Sequence, residues 1–282
     1  MKSVLNTGLV SLLFLILQVA SALNLTGQPV KKVFTSTRIA MTQSVDLPSE
    51  GEFYFVLAHR FGSIEGGLYD MFGLDLATIR LGFDYGITDR LAAGIGRSSF
   101  EKTYDLFTKM TIARQSDNGF PLAITGNLSA SFNTLKNTYP AEMDGMWNRM
   151  SFSAQFIIAR KQGRFSLQAS PLYFRNNYET RSETDLNLFA LPLTASIKLS
   201  KRFSFNTQYI PVFNKPDFAD DNPLSVGIDM DTGGHQFQLL FSNNAGLFDK
   251  AVLTDTQGRW KSGIILFGFN LVRVFYFKDK TK

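Results

Sequence analysis

The chemistry open to this chain is limited by a short supply of reactive side chains: it has two histidines and no cysteine. Without cysteine there are no thiol nucleophiles, disulfides or Cys-based zinc sites. His59 and Ser63 form the nearest approach to a base and nucleophile, in a stretch that also holds Gly62, Gly66 and Gly67. A general base must reach its nucleophile by a hydrogen bond, and a spacing of four residues is a weak signal for that. A packing role is the expectation for His59, and no catalytic residue is assigned. A second set is Arg80, Asp84, Asp105 and Lys109, which fall on the polar side of two alternating segments. Their positions put Arg80 level with Asp105 and Asp84 level with Lys109, with Gly94 and Gly96 leaving space between them. Such charges either brace an interior or form a constriction that selects ions and small solutes. Bracing is the expectation, because paired buried charges need no further role. Asp217, Asp220 and Asp221 lack the spacing of a calcium loop. No phosphate-cradling glycine motif, nucleotide fingerprint or zinc ligand cluster occurs, so no metal or cofactor is expected.

The elements that must position these residues are strands. From Ala77 to Tyr85 the odd positions are Ala, Ile, Leu, Phe and Tyr, while the even ones are Thr, Arg, Gly and Asp. The same split runs from Leu122 to Phe132 and from Leu224 to Met230. A period of two marks extended chain with one apolar face. Weaker versions occur at 51–59, 91–99, 103–114, 148–160, 164–175, 186–199, 202–212, 235–243 and 262–275, which brings the count to about twelve strands, within a range of about ten to fourteen. Tight connections at 87–90, 116–120, 161–164, 200–201 and 232–234 follow even-numbered strands. Longer ones at 60–75, 135–147, 176–185, 213–222 and 244–261 follow odd-numbered strands, with the short connection Phe100 to Lys102 the one exception. That alternation is the habit of membrane barrels, with short periplasmic turns and longer external loops. It puts both ends of the sheet on one side, so the first and last strands can pair and leave no edge.

Residues 51–277 are read as one closed antiparallel transmembrane β-barrel. The segment 31–42, with Val33, Phe34, Ile39 and Met41, does not fit the alternation of turns and loops. We therefore assign 23–50 to an N-terminal periplasmic arm or plug. Residues 278–282 form a short basic tail. Before the arm, Lys2, an apolar run from Leu9 to Ala20 and the small residues Ala20-Ser21-Ala22 have the build of a cleaved secretory signal over 1–22. Its apolar run is shorter than the roughly 18–20 residues of a spanning helix.

Which face meets lipid is decided by size and composition. Phe is frequent, at 27 residues, yet mean hydropathy is only -0.03. A barrel that shows lipid every second residue reconciles the two. A wall of this many strands encloses a lumen wide enough for water, polar side chains or a plug. Tyr85, Phe165, Phe203 and Phe237 on the turn side, with Tyr104, Tyr173 and Tyr209 on the loop side, have the placement of interfacial girdles. Arg97 lies on the outward parity. A net formal charge of +5 is too slight to imply nucleic acid.

His59-Arg60-Phe61-Gly62, Met71-Phe72-Gly73-Leu74-Asp75, the run from Ile79 to Leu91, Gly94-Ile95-Gly96-Arg97-Ser98 and Gly268-Phe269-Asn270 together resemble an uncharacterised family of bacterial outer-membrane β-barrel proteins carried under a domain-of-unknown-function label. The resemblance spans most of the chain after the signal and is densest over 53–115. It implies a fold and an outer-membrane location but no activity. The final strand, ending Phe275-Tyr276-Phe277, resembles the aromatic-ended terminal strand that guides insertion in such families, although five residues follow it. The expected partners are outer-membrane lipid, the assembly machinery acting through that strand, and small solutes. The expectation is a non-enzymatic narrow pore or structural barrel. A membrane-embedded lipid hydrolase and a soluble secreted barrel that binds an apolar ligand are the alternatives.

Overall fold

The computed structural model describes residues 30–136, 145–178, 187–215 and 221–277. Its wall is one closed sheet of twelve antiparallel strands, three of them split at a proline. They are β1 (Glu52–Ser63), β2 (Ala77–Thr88), β3 (Leu91–Ser98), β4 (Tyr104–Ala113), β5 (Ala123–Phe132), β6 (Met150–Gln162), β7 (Phe165–Ala169 and Leu172–Asn176), β8 (Asn187–Ala190 and Leu193–Lys198), β9 (Phe203–Tyr209 and Val212–Phe213), β10 (Leu224–Asp231), β11 (His235–Ser242) and β12 (Leu266–Tyr276). Each pairs with its neighbours in the chain, and β12 returns to β1 in a register running from Leu266↔Ser63 to Tyr276↔Glu52. Closure gives every wall strand a partner on both sides, which an apolar solvent demands of backbone polar groups.

The splits in β7, β8 and β9 share one cause. Pro171, Pro192 and Pro211 have no N–H to give the ladder, and they line up across adjacent strands. Their carbonyls still accept, from Phe156 N at 2.9 Å, Ser170 N at 2.9 Å and Leu191 N at 3.0 Å, while Ile210 N reaches Pro223 O at 2.9 Å. The row of prolines interrupts the ladder without opening the wall.

Side chains sort by parity as the alternation requires. On β2 Leu81, Phe83 and Tyr85 are exposed on the outer surface, whereas Arg80 and Asp84 are buried inside. The outward apolar face continues through Ile95, Leu106, Leu128, Phe156, Leu167, Leu239 and Phe241. Arg97 also faces out, with its guanidinium 5.6 Å from the ring centre of Tyr104.

The lumen is occupied by two pieces of the same chain. Residues 30–50 enter from the turn side, where Val30 N donates to Gln115 O in the β4–β5 connection. They rise as a small hairpin, pairing Arg38–Ile39 with Thr42–Gln43, and return to the turn side at Ser49. This stretch is therefore an inner hairpin rather than a further wall strand. From the loop side, the β11–β12 connection folds inward and forms helix α1 (Asp249–Thr254). Sequence reading has that connection as a plain external loop; a helix this short has too little periodicity to register. Met41 at the hairpin tip packs with Val252 and Leu253 of α1 and with Leu172, Phe174, Leu188, Ile210 and Val212 of the wall. Lower down, Val33, Phe34, Ile39 and Val45 pack on Ala123, Ile157 and Ala159.

Placing Arg at position 239, midway along β11 and half-exposed on the outer face, is expected to destabilise the barrel in phospholipid vesicles by about 2–4 kcal/mol. Urea unfolding of the Leu239→Arg variant measures this, and a near-neutral result would mean that this face meets water.

Candidate functional site

The lumen is where the polar side chains of the wall converge. Their first task is set by the inner hairpin, whose irregular backbone lies inside the closed wall, largely shielded from bulk water. Non-ladder backbone is tolerated there only if the protein itself supplies its hydrogen bonds. The wall does so strand by strand. Arg60 Nη2 and Asn270 Nδ2 donate to Ala40 O at 3.0 and 3.1 Å, and Gln238 Nε2 donates to Arg38 O at 3.0 Å. Gln208 Oε1 accepts from Met41 N at 3.1 Å. Gln168 serves both directions, donating to Gln43 O at 3.0 Å and accepting from Val45 N at 2.9 Å. Thr125 donates to Val45 O at 2.9 Å and Ser166 to Val33 O at 2.7 Å. Within the arm, the Asp46 carboxylate accepts from Val33 N at 3.0 Å and Phe34 N at 2.7 Å, closing the base of the hairpin.

Arg80, Asp84, Asp105 and Lys109 all lie inside and are all buried. Arg80 and Asp105 form a two-pronged pair, with Nε donating to Oδ1 at 2.8 Å and Nη2 to Oδ2 at 2.5 Å. Glycine makes this geometry possible: a Cβ on Gly96 would lie 2.2 Å from Arg80 Nη2, and one on Gly94 would lie 2.6 Å from Asp84 Oδ1. The second expected pair does not form a hydrogen bond. Lys109 Nζ instead donates to Thr37 O at 3.2 Å and Asp46 O at 2.6 Å, because the inner hairpin brings carbonyls closer to it than the wall brings Asp84. Neither oxygen of Asp84 has a hydrogen-bond partner within the described residues. The cations acting on it are Arg38, Arg80 and Lys109. Arg38 comes from the arm, its guanidinium 5.6 Å from the ring centre of Phe107, and no sequence signal marks it as part of this cluster. Asp249 of α1 accepts from Ser153 Oγ, and Lys250 pairs with Glu101 at 3.0 Å. Charges of wall, arm and helix thus meet in one network. The cavities left beside Arg38 measure about 10 and 20 Å³, on the scale of a single water each.

The remaining candidates are separated. His59 faces outward, stacked on Phe269 at 5.4 Å between ring centres and tilted against Phe61 at 4.4 Å. Ser63 lies four residues along the same strand, about 13 Å away for an extended chain, and its Oγ accepts from Glu65 N at 3.2 Å. His235 sits at the start of β11 beside Arg273, whose Nη1 is 3.0 Å from the ring nitrogens. Asp221 lies 3.7 Å from Arg259, while Asp217 and Asp220 fall outside the described residues. Among the described residues no group of acidic or histidine side chains is placed to hold a metal.

Asp105→Ala strands a buried guanidinium and is expected to cost about 3–5 kcal/mol, whereas the double variant Arg80→Met with Asp105→Leu recovers most of it. Urea midpoints of the two variants in vesicles test the ion pair. Equal losses would show that the charges do not act as a unit.

The family model described as a membrane-bound β-barrel domain, DUF5777, matches residues 34–275, which takes in most of the inner hairpin as well as the wall. Among solved structures the chain is similar to the NanC porin, with 9% identity over 79% of this chain and 98% of that chain and a TM-score of 0.51. It also matches the KdgM porin (6% identity, 80% and 99% covered, TM-score 0.47) and the outer membrane phospholipase A from Escherichia coli (8% identity, 80% and 93% covered, TM-score 0.45). At 9% identity the likeness to the NanC porin is one of fold. No curated protein sequence matches the chain. With the family match covering the closed wall and the hairpin inside it, the chain belongs to the membrane-bound β-barrel domain family DUF5777.

Proposed function

We propose that this protein is a non-enzymatic outer-membrane barrel held shut by its own chain, a structural barrel rather than a diffusion pore. The observation that carries this reading is the inner hairpin, hydrogen-bonded along its length by the side chains a water-filled pore would use to line its channel. Helix α1 closes on the hairpin tip from the other side, through the apolar contact of Met41 with Val252 and Leu253. The charge network belongs to this seal: Arg80 and Asp105 satisfy each other, and Lys109 is spent on arm carbonyls. A lipid hydrolase reading is disfavoured by the separation of His59 from Ser63 and by the aromatic packing of the imidazole. Outer-membrane lipid around the exposed apolar face, and assembly machinery engaging β12, are the partners that fit this placement.

The mature chain, reconstituted in a planar bilayer, is expected to give no stable conductance. A variant lacking residues 30–46 that still folds, judged by its heat-modifiable mobility on gels, is expected to conduct. Stable channels from the intact chain would overturn the sealed barrel. A folded, truncated barrel that stayed silent would show that the arm is not the seal.

A further inference from the structure

The turn-side mouth of the barrel holds a feature that the seal does not use. A cavity of about 100 Å³ opens between the arm and the ends of β6 to β10. Six cations line it: Lys32 from the arm, Lys161 from β6, Arg164 from the turn that follows, Lys198 from β8, and Lys201 and Arg202 from the next turn. Asp231 is the one carboxylate in the lining, and its Oδ1 accepts from Gly233 N at 2.8 Å to fix the β10–β11 turn. The inner wall adds hydroxyls, with Ser196 and Ser204 beside Thr35, whose Oγ1 lies 3.3 Å from Ser204 Oγ. Among the described residues none of the six cations makes an ion pair. Lys161 Nζ is nonetheless held in place, donating to Lys32 O at 3.0 Å.

Like charges brought to one concavity repel, and a cleft lined by one sign focuses its field on whatever counter-charge enters. Here the elements that bring the cations together are two separate turns and the arm, so the cluster is a product of the fold and not of a basic run in the sequence. Lys161, Ser166, Ser196, Lys198 and Ser204 share the inward parity of their strands. The cavity therefore faces the mouth and not the lipid around it. Its volume is well below that of a drug-sized site, roughly 300–1,000 Å³, and suits one compact group. Arginine and lysine donors around hydroxyls are the chemistry that recognises a phosphate group.

We infer that the turn-side mouth, lined by Lys32, Lys161, Arg164, Lys198, Lys201 and Arg202, binds a phosphate group, free or carried by a lipid headgroup. The inference deepens the sealed-barrel reading by giving the closed end a ligand, and it relies on that reading only for the side of the membrane on which the ligand is met.

The test is equilibrium binding to the mature, full-length protein in an uncharged detergent, with inorganic phosphate in one arm and short-chain phosphatidylglycerol in the other. Saturable binding at one site per chain is expected, weakening as salt is raised. The Lys198→Gln, Arg202→Gln double variant should raise Kd about tenfold or more, since it removes two charged donors. Lys261→Gln, an exposed change on the loop side, should leave Kd unchanged, and heat-modifiable gel mobility confirms that each variant is folded. Phosphate binding lost in the double variant supports a free ligand, and saturation by the lipid alone supports a headgroup. Saturation by neither, or affinity unchanged in the folded double variant, overturns the site. Because binding in detergent is independent of conductance, a failure here leaves the sealed barrel standing, and the converse also holds.

Discussion

Backbone amides and carbonyls placed inside a membrane must find partners within the protein, and this one requirement organises the whole molecule. The wall meets it by closing, with β12 paired to β1. The inner hairpin has no sheet to join, so the wall's inward side chains act in place of one. Gln168 and Gln208 are suited to that role because one amide side chain carries both a donor and an acceptor. Gln168 bonds a carbonyl at Gln43 and an amide at Val45, much as a neighbouring strand would. The polar inner face, which in isolation looks like the lining of an aqueous channel, is thereby committed to holding a polypeptide.

The same logic explains where charge was placed. Among the described residues Arg60 has no carboxylate partner within hydrogen-bond reach, and it is held by the carbonyls of His59, Phe269 and Ala40 and the side chain of Asn270. A guanidinium can be solvated by such carbonyls because its donors are spread over a planar fork. Arg80 takes the other solution, a two-pronged carboxylate, and needs the bare backbone of Gly96 to lie flat against the wall. Cations therefore serve as cross-braces, and the arm contributes Arg38 to the same cluster from inside.

The wall was legible in the sequence because strict alternation, turn length and parity are local properties. Leu81, Phe83 and Tyr85 announce an outward face without any knowledge of their neighbours, and the twelve strands appear close to where the pattern puts them. Arg80 and Asp105 could be matched because both lie on strands whose register follows from the turns. The pairing of Asp84 with Lys109 failed for the opposite reason: Thr37 and Asp46 compete for the ammonium through their backbone carbonyls, and a carbonyl has no residue signature. Helix α1 was invisible for a related reason, since Val252 and Leu253 are apolar because they meet Met41, a contact across more than two hundred positions of the chain. The basic mouth escaped notice because its cations come from two turns and the arm, none of which is basic enough alone to stand out.

The inner hairpin also sets an order of events. It lies near the start of the chain and would reach the membrane early, but the groups that hold it come from β1, β4, β5, β7, β9, β11 and β12. Ala40 awaits Asn270, 230 positions later, and Arg38 awaits Gln238, 200 positions later. Contacts this distant form late, after the intervening chain has been ordered. The earliest part of the structured chain is thus the last to be locked, and until β12 arrives its polar backbone must remain on the aqueous side of the membrane.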